Sequence, residues 1–171
     1  MNLAEYKDYY KGRIDCVDHR AVEDFIKSFM HYTTTFIIGN GGSATLASHL
    51  AQDLTKQCKL DAVSLTDSVA MITAMGNDLG YENVFLEQLK IRSQYTGDAL
   101  LAISGSGNSP NILKAVEWAN DHGIWTMGLS GYEDNRLMGI VRQSINLGLN
   151  DMETCESIFS FICHYIVLRL K

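Results

Sequence analysis

The sequence predicts an α/β protein, a three-layer α/β/α sandwich around a mostly parallel central sheet, with N-terminal helices and a long C-terminal helix. Three observations carry this expectation. Short aliphatic or β-branched runs alternate with longer stretches of helical period, the pattern of parallel strands joined by crossover helices. Two of those runs end in turns rich in glycine and serine that open onto helices. The 171 residues, 46% hydrophobic and 20% charged, suit one continuous core.

Taken in order, Val17, Ala21, Val22, Phe25, Ile26, Phe29 and Met30 repeat with helical spacing, so an amphipathic helix is expected within Cys16 to His31. Thr33 to Ile38 is β-branched and stops at Gly39, as a buried strand would. Helical character returns over Ser43 to Lys56, Asp67 to Met75 and Glu82 to Ile91, with a short strand over Asp61 to Leu65. Asp98 to Ile103 reads as a second strong strand, followed by a helix from Pro110 to about Asp121. Strands over Ile124 to Leu129 and Ser144 to Leu149 lead to a long helix from about Asp151 to Leu170. We divide the chain into a helical segment, residues 1–32, packing on the domain or a neighbouring subunit, and a main domain, residues 33–171.

A formal net charge of −6 excludes the basic footprint that nucleic acid or an anionic membrane would require. No apolar run approaches the roughly 18 residues of a membrane span. Cys16, Cys58, Cys155 and Cys163 form no C-x-x-C pair, and Met1 to Glu5 runs into charged residues rather than a secretory leader. Reduced thiols and a cytoplasmic location are expected.

Gly39-Asn-Gly-Gly-Ser43 and Ser104-Gly-Ser-Gly-Asn-Ser109 occupy the same strand-to-helix position. Ligands of parallel α/β sheets bind beyond the carboxyl ends of strands, where such turns sit. Glycines admit close approach to the backbone, and successive amides form concave anion nests. In the second turn Ser109 suits an N-cap, and Pro110, the chain's one proline, suits the first helical position. A helix N-terminus favours phosphate, with the hydroxyls of Ser104, Ser106 and Ser109 as neutral donors. A plain capped turn accounts for the same residues. No Gly-Lys-Ser/Thr follows either turn and neither holds a full dinucleotide fingerprint, so a nucleotide is not favoured.

His49 and Asp53 stand four apart on the helix after the first turn and share a face. Glu156, Ser160 and His164 follow one ridge of the last helix. Two histidines and two carboxylates from two helices have the composition of a divalent-metal site. A solvated His–Asp pair and a core histidine are the plainer alternatives. His19, His31 and His122 have no partner in any motif, and Cys155 and Cys163 read as core residues.

The order and approximate spacing of Gly39–Ser43, Gly76-Asn-Asp-Leu-Gly80 and the serine loop resemble the phosphoheptose isomerase branch of the SIS (sugar isomerase) family, from about Thr33 to the C-terminus. The resemblance implies a flavodoxin-like SIS fold and a sugar-phosphate site lined by Asn40, Gly41, Gly42, Ser43, Asn77, Asp78, Ser104, Gly105, Ser106, Ser109 and Glu156. It implies ketose–aldose isomerisation through an enediol, with sedoheptulose 7-phosphate as the first candidate substrate and D-glycero-D-manno-heptose 7-phosphate as product. His49 and His164 fall on the family's two histidines, Asp53 on its glutamate and Glu156 on its glutamine. These four would hold a divalent metal, zinc first, with Asp53 the base and His164 the acid. The family's Arg-Ile-Gln-Glu-Ile-His stretch reads Thr154-Cys-Glu-Ser-Ile-Phe159 here. That departure keeps open a non-catalytic SIS scaffold, similar to the protein that associates with the replication initiator, or a sugar-phosphate-binding regulator. Relatives form homotetramers, and the apolar circumference of the last helix fits burial against another subunit.

Overall fold

The computed structural model describes residues 1–171. Five strands form one all-parallel sheet: β1 (Thr34–Gly39), β2 (Asp61–Ser64), β3 (Asp98–Ser104), β4 (Trp125–Ser130) and β5 (Gln143–Asn146), ordered β2-β1-β3-β4-β5. The helices are α1 (Leu3–Ile14), α2 (His19–Phe29), α3 (Gly42–Cys58), α4 (Val69–Leu79), α5 (Val84–Arg92), α6 (Pro110–Asp121), α7 (Leu137–Ile140) and α8 (Met152–Leu170).

Strand alternation builds the three layers. Ile37, Ala99, Leu101 and Ile103 point to one face, where they join Phe25, Leu50, Leu54, Ile158 and Ile162 of α2, α3 and α8. Phe36, Ile38, Leu100 and Ala102 point to the other, against Phe85, Leu89, Ile112 and Val116 of α5 and α6. Both faces of the sheet are thus buried, which is why β1 and β3 read as nearly unbroken apolar runs.

α1 has no buried residue; its start is fixed by a capping box between Asn2 and Glu5. Tyr9 Oη donates to Asp151 (3.4 Å) and Tyr10 Oη to Ser157 Oγ (3.2 Å), tying α1 to the start of α8. α2 begins later than its apolar period, because the Asp18 carboxylate accepts from the Arg20 and Ala21 amides and sets the cap there. α4 runs through Gly76 to Leu79 and stops at Gly80, whose φ of 88° is open to glycine, so the Gly76–Gly80 motif is mostly helical. β5 ends at Asn146; the expected strand residues Leu147 and Leu149 instead donate backbone bonds to Ser130 and Gly131. No helix is long and apolar enough to cross a membrane.

Candidate active site

Strand order reverses between β1 and β3, which are neighbours in register, with Gly39 opposite Ile103. Their two turns therefore lie side by side at the carboxyl edge of the sheet, the ligand position of open parallel sheets. A 260 Å³ cradle forms there, lined by Asn40, Gly41, Gly42, Ser43, Ser104, Gly105, Ser106, Ser109, Met152 and Glu156.

The first turn is shaped by close packing. A Cβ on Gly39 would stand 2.5 Å from the Ser43 carbonyl oxygen, so β1 passes directly under the start of α3. Gly41 takes φ of 56° at the N-cap, with no side chain capping the helix. The Gly42 and Ser43 amides are thereby left for a ligand, while Ala44 N already donates to the Asn40 and Gly41 carbonyls. Asn40 is held by a reciprocal amide pair with buried Asn111, each bond 2.9 Å, and accepts from Tyr81 Oη at 2.9 Å.

The serine loop is anchored from behind. Its Gly105 carbonyl accepts from the Gly131 and Tyr132 amides, and its Gly107 carbonyl from Leu137 N. Ser104 Oγ accepts from Gly107 N (3.1 Å) and Ser106 Oγ from Asn108 N (3.2 Å), which leaves both hydroxyl protons available to an anion. Ser109 occupies the N-cap of α6 without bonding the helix through its side chain, and its hydroxyl lines the cradle.

Further along the same helix pair, His49, Asp53 and His164 come together, one ligand atom from each lying within 4.8 Å of the others. His49 Nε2 is 3.2 Å from Asp53 Oδ2, and the two histidine Nε2 atoms are 3.3 Å apart. The Asp53 side chain is 9% exposed and that of His49 53%, so the group opens to the surface from a buried carboxylate. Gln57 Nε2 donates to Asp53 Oδ1 at 2.6 Å. Sequence reasoning missed Gln57, although it follows Asp53 by the same four residues that separate Asp53 from His49. Two imidazole nitrogens and a carboxylate oxygen converging on one point have the chemistry of a divalent-metal set, with a position left open.

Two of the expected groupings are not brought together. Glu156 lies outside the group of His49, Asp53 and His164: its backbone stands about 12 Å from that of His164 along α8, and its carboxylate rests over Gly42 in the cradle. Asn77 and Asp78 lie outside the cradle lining, exposed on the last turn of α4, where Asn77 Nδ2 donates to Asp78 Oδ1 at 2.7 Å. Their motif continues a helix instead of turning toward the sheet.

All four cysteines are free thiols. Burial pushes Cys163 up to about 12 and Cys155 up to about 11, which keeps both inert, as their core positions imply.

The SIS domain model matches residues 19–131. The chain belongs to the SIS domain family. The chain is 33% identical over 146 residues to the phosphoheptose isomerase of Pelobacter propionicus, covering 82% of this chain and 77% of that protein. It is 34% identical over 152 residues to that of Helicobacter hepaticus, covering 86% and 77%. The structure of the Neisseria gonorrhoeae phosphoheptose isomerase superposes with a TM-score of 0.90 at 24% identity, covering 98% of this chain and 96% of that one, which bears on the fold.

Proposed function

We propose that this SIS-family chain is a sugar-phosphate aldose–ketose isomerase, acting on sedoheptulose 7-phosphate to form D-glycero-D-manno-heptose 7-phosphate. The observation that carries the reading is the alignment of two sites along one helix pair. α3 and α8 run side by side in the same sense: Gly42 meets Glu156 at one end, and His49 meets His164 seven to eight residues on. The separation of about 10–12 Å suits an extended sugar whose phosphate and carbonyl lie at opposite ends. The phosphoheptose isomerases among its relatives support the same substrate class.

In this reading the Gly42 and Ser43 amides at the start of α3, the Asn111 amide at the start of α6 and the hydroxyls of Ser104, Ser106 and Ser109 hold the phosphate. Asn40, Gly41, Gly42, Ser43 and Gly105 shape that pocket, with Asn77 and Asp78 assigned to the sugar by the family pattern alone. Asp53 takes the proton from the carbon beside the carbonyl while His164 gives one to the carbonyl oxygen, forming the enediol. His164 then takes the proton of the neighbouring hydroxyl as Asp53 returns its own to the former carbonyl carbon. Gln57, bound to one Asp53 oxygen, keeps the other directed toward the reacting carbon and His49. A divalent cation, zinc first, held by His49, Asp53 and His164, would polarise the carbonyl and stabilise its developing negative charge.

The test is incubation of the purified protein with sedoheptulose 7-phosphate and added zinc, following aldose formation. Turnover is expected, lost in Asp53→Asn and His164→Ala; absence of aldose in the wild type would sink the substrate assignment. Bound zinc should be lost in His49→Ala.

The same reading makes the chain a cytoplasmic homotetramer, with residues 33–171 as the catalytic domain and 1–32 as a helical segment whose α2 packs into its core through Phe25 and Phe29. Phe161, Tyr165 and Leu168 remain exposed on α8 while the rest of its apolar side packs inward, and this strip is the surface we assign to subunit contact. Light scattering of the purified chain decides it: a monomer at micromolar concentration would refute the assembly.

A further inference from the structure

The cradle described above is unusual in its charge. Among its ten lining residues there is no lysine or arginine, and the one ionisable side chain is Glu156. Glu156 reaches from the second turn of α8 across the N-terminus of α3, so close that a Cβ on Gly42 would overlap its carboxyl group. Only glycine at that position lets the carboxylate approach.

A carboxylate and a phosphate dianion repel strongly at such range in a partly desolvated site. The helix-end amides and serine hydroxyls must overcome that repulsion without a cation from the lining. The same carboxylate is a strong acceptor for hydroxyl groups, which a sugar chain supplies in number and a bare phosphate lacks. Discrimination through an unfavourable charge against the wrong ligand is an established route to specificity.

We propose that Glu156 is a specificity-determining residue: its carboxylate disfavours inorganic phosphate in the cradle and accepts hydrogen bonds from the hydroxyls of a polyhydroxylated phosphate ester. The inference rests on the sugar-phosphate reading of the cradle and narrows which phosphates it admits. Phosphate alone is penalised; phosphate carrying a hydroxylated chain recovers the penalty through the neighbouring contacts.

The test is calorimetric titration of the full chain, of Glu156→Gln and of Glu156→Asp with two ligands. One is inorganic phosphate; the other is a heptitol phosphate, which carries the hydroxyls but cannot isomerise. Glu156→Gln keeps side-chain length and removes the charge, and is expected to tighten inorganic phosphate at least about tenfold while changing heptitol phosphate less than about threefold. Glu156→Asp keeps the charge and should bind inorganic phosphate as weakly as the wild type, separating charge from shape. An unchanged or weaker affinity of Glu156→Gln for inorganic phosphate, or equal tightening of both ligands, overturns the selectivity alone. Failure of heptitol phosphate to bind the wild type would instead sink the sugar-phosphate reading, and the selectivity with it.

Discussion

Asn40 and Asn111 face each other in a reciprocal amide pair, each donating its Nδ2 to the other's Oδ1 at 2.9 Å. They come from the two different turns that make the cradle, one at the end of β1 and one in the first turn of α6. Asn111 is 2% exposed and Asn40 half-buried, so the pair is a partly buried strap across the point where strand order reverses. Tyr81 adds a third bond to Asn40 from the 3-10 turn ahead of α5. The spacing of the serine loop against the α3 N-terminus therefore depends on two side chains, of which Asn40 lines the cradle and Asn111 stands behind it.

Asn111→Leu is expected to weaken substrate binding from behind the cradle. It removes both bonds and leaves part of the half-buried Asn40 amide unpaired, which costs about 1 kcal/mol, the low end for an orphaned group. KM for the sugar phosphate should rise several-fold with kcat less affected, alongside a lower thermal midpoint. A KM equal to that of the wild type would show that the turns hold their spacing without the strap.

Gln57 predicts a different split. Its amide holds Asp53 Oδ1 at 2.6 Å, away from the cradle and beside the proton-transfer group. Gln57→Met should free the carboxylate to rotate and lower kcat by about 10- to 100-fold, the scale of a base misplaced by roughly 1 Å. KM should change little, because no phosphate contact is touched. Gln57→Asn, too short to reach, should behave like Gln57→Met. Steady-state kinetics of the two variants check this, and a change confined to KM would contradict it.

Much of this was legible in the sequence because the chemistry sits on regular elements. β1 and β3 announced themselves as β-branched and aliphatic runs because both their faces are covered. Each ended in a glycine- and serine-rich stretch that a plain capped turn explained as well, until the register of the two strands set the turns side by side. The His49–Asp53 pair was visible as four-residue spacing on a helix. What spacing could not show was which distant residues meet. Glu156 and His164 share a ridge of α8, yet α8 runs parallel to α3, so the first lands on Gly42 and the second on His49. The helix expected over Asp67 to Met75 stops short of the Gly76–Gly80 motif, but Gly76 has room within the helix and only Gly80 takes a positive φ, so α4 runs on to Leu79. α1 escaped periodicity altogether, since it buries nothing and is defined by its cap.

Glycines of the first turn should differ sharply in tolerance. A Cβ on Gly39 meets backbone, the Ser43 carbonyl at 2.5 Å, and backbone cannot step aside without unseating α3. A Cβ on Gly42 meets the end of the Glu156 side chain, which can swing away. Gly39→Ala is expected to destabilise the fold by about 3 kcal/mol or more, in the range of overpacked cores, whereas Gly42→Ala should fold with a shift nearer 1 kcal/mol and alter ligand binding. Chemical denaturation of both variants distinguishes them; equal losses would place Glu156 in a more rigid role than its position implies.

Alkaline stability supplies the last prediction. Burial raises the Cys163 thiol from about 9 to about 12, and Cys155 to about 11. The folded chain thus retains these protons when the unfolded chain has released them. With fewer protons on the unfolded state, stability falls as pH rises. The contribution is complete below about pH 9, the unfolded value, and is lost progressively toward about pH 12 for Cys163. Cys163→Ala removes this dependence and opens a small cavity, so it should be less stable than wild type at pH 7 and lose less stability between pH 9 and 11. Denaturant titrations at a series of pH values measure the wild-type-minus-variant difference, in which other alkaline groups cancel. A difference independent of pH would mean that the thiol is reached by water before the chain unfolds. Alkylation should then agree, modifying exposed Cys16 in the native protein and Cys163 only on unfolding.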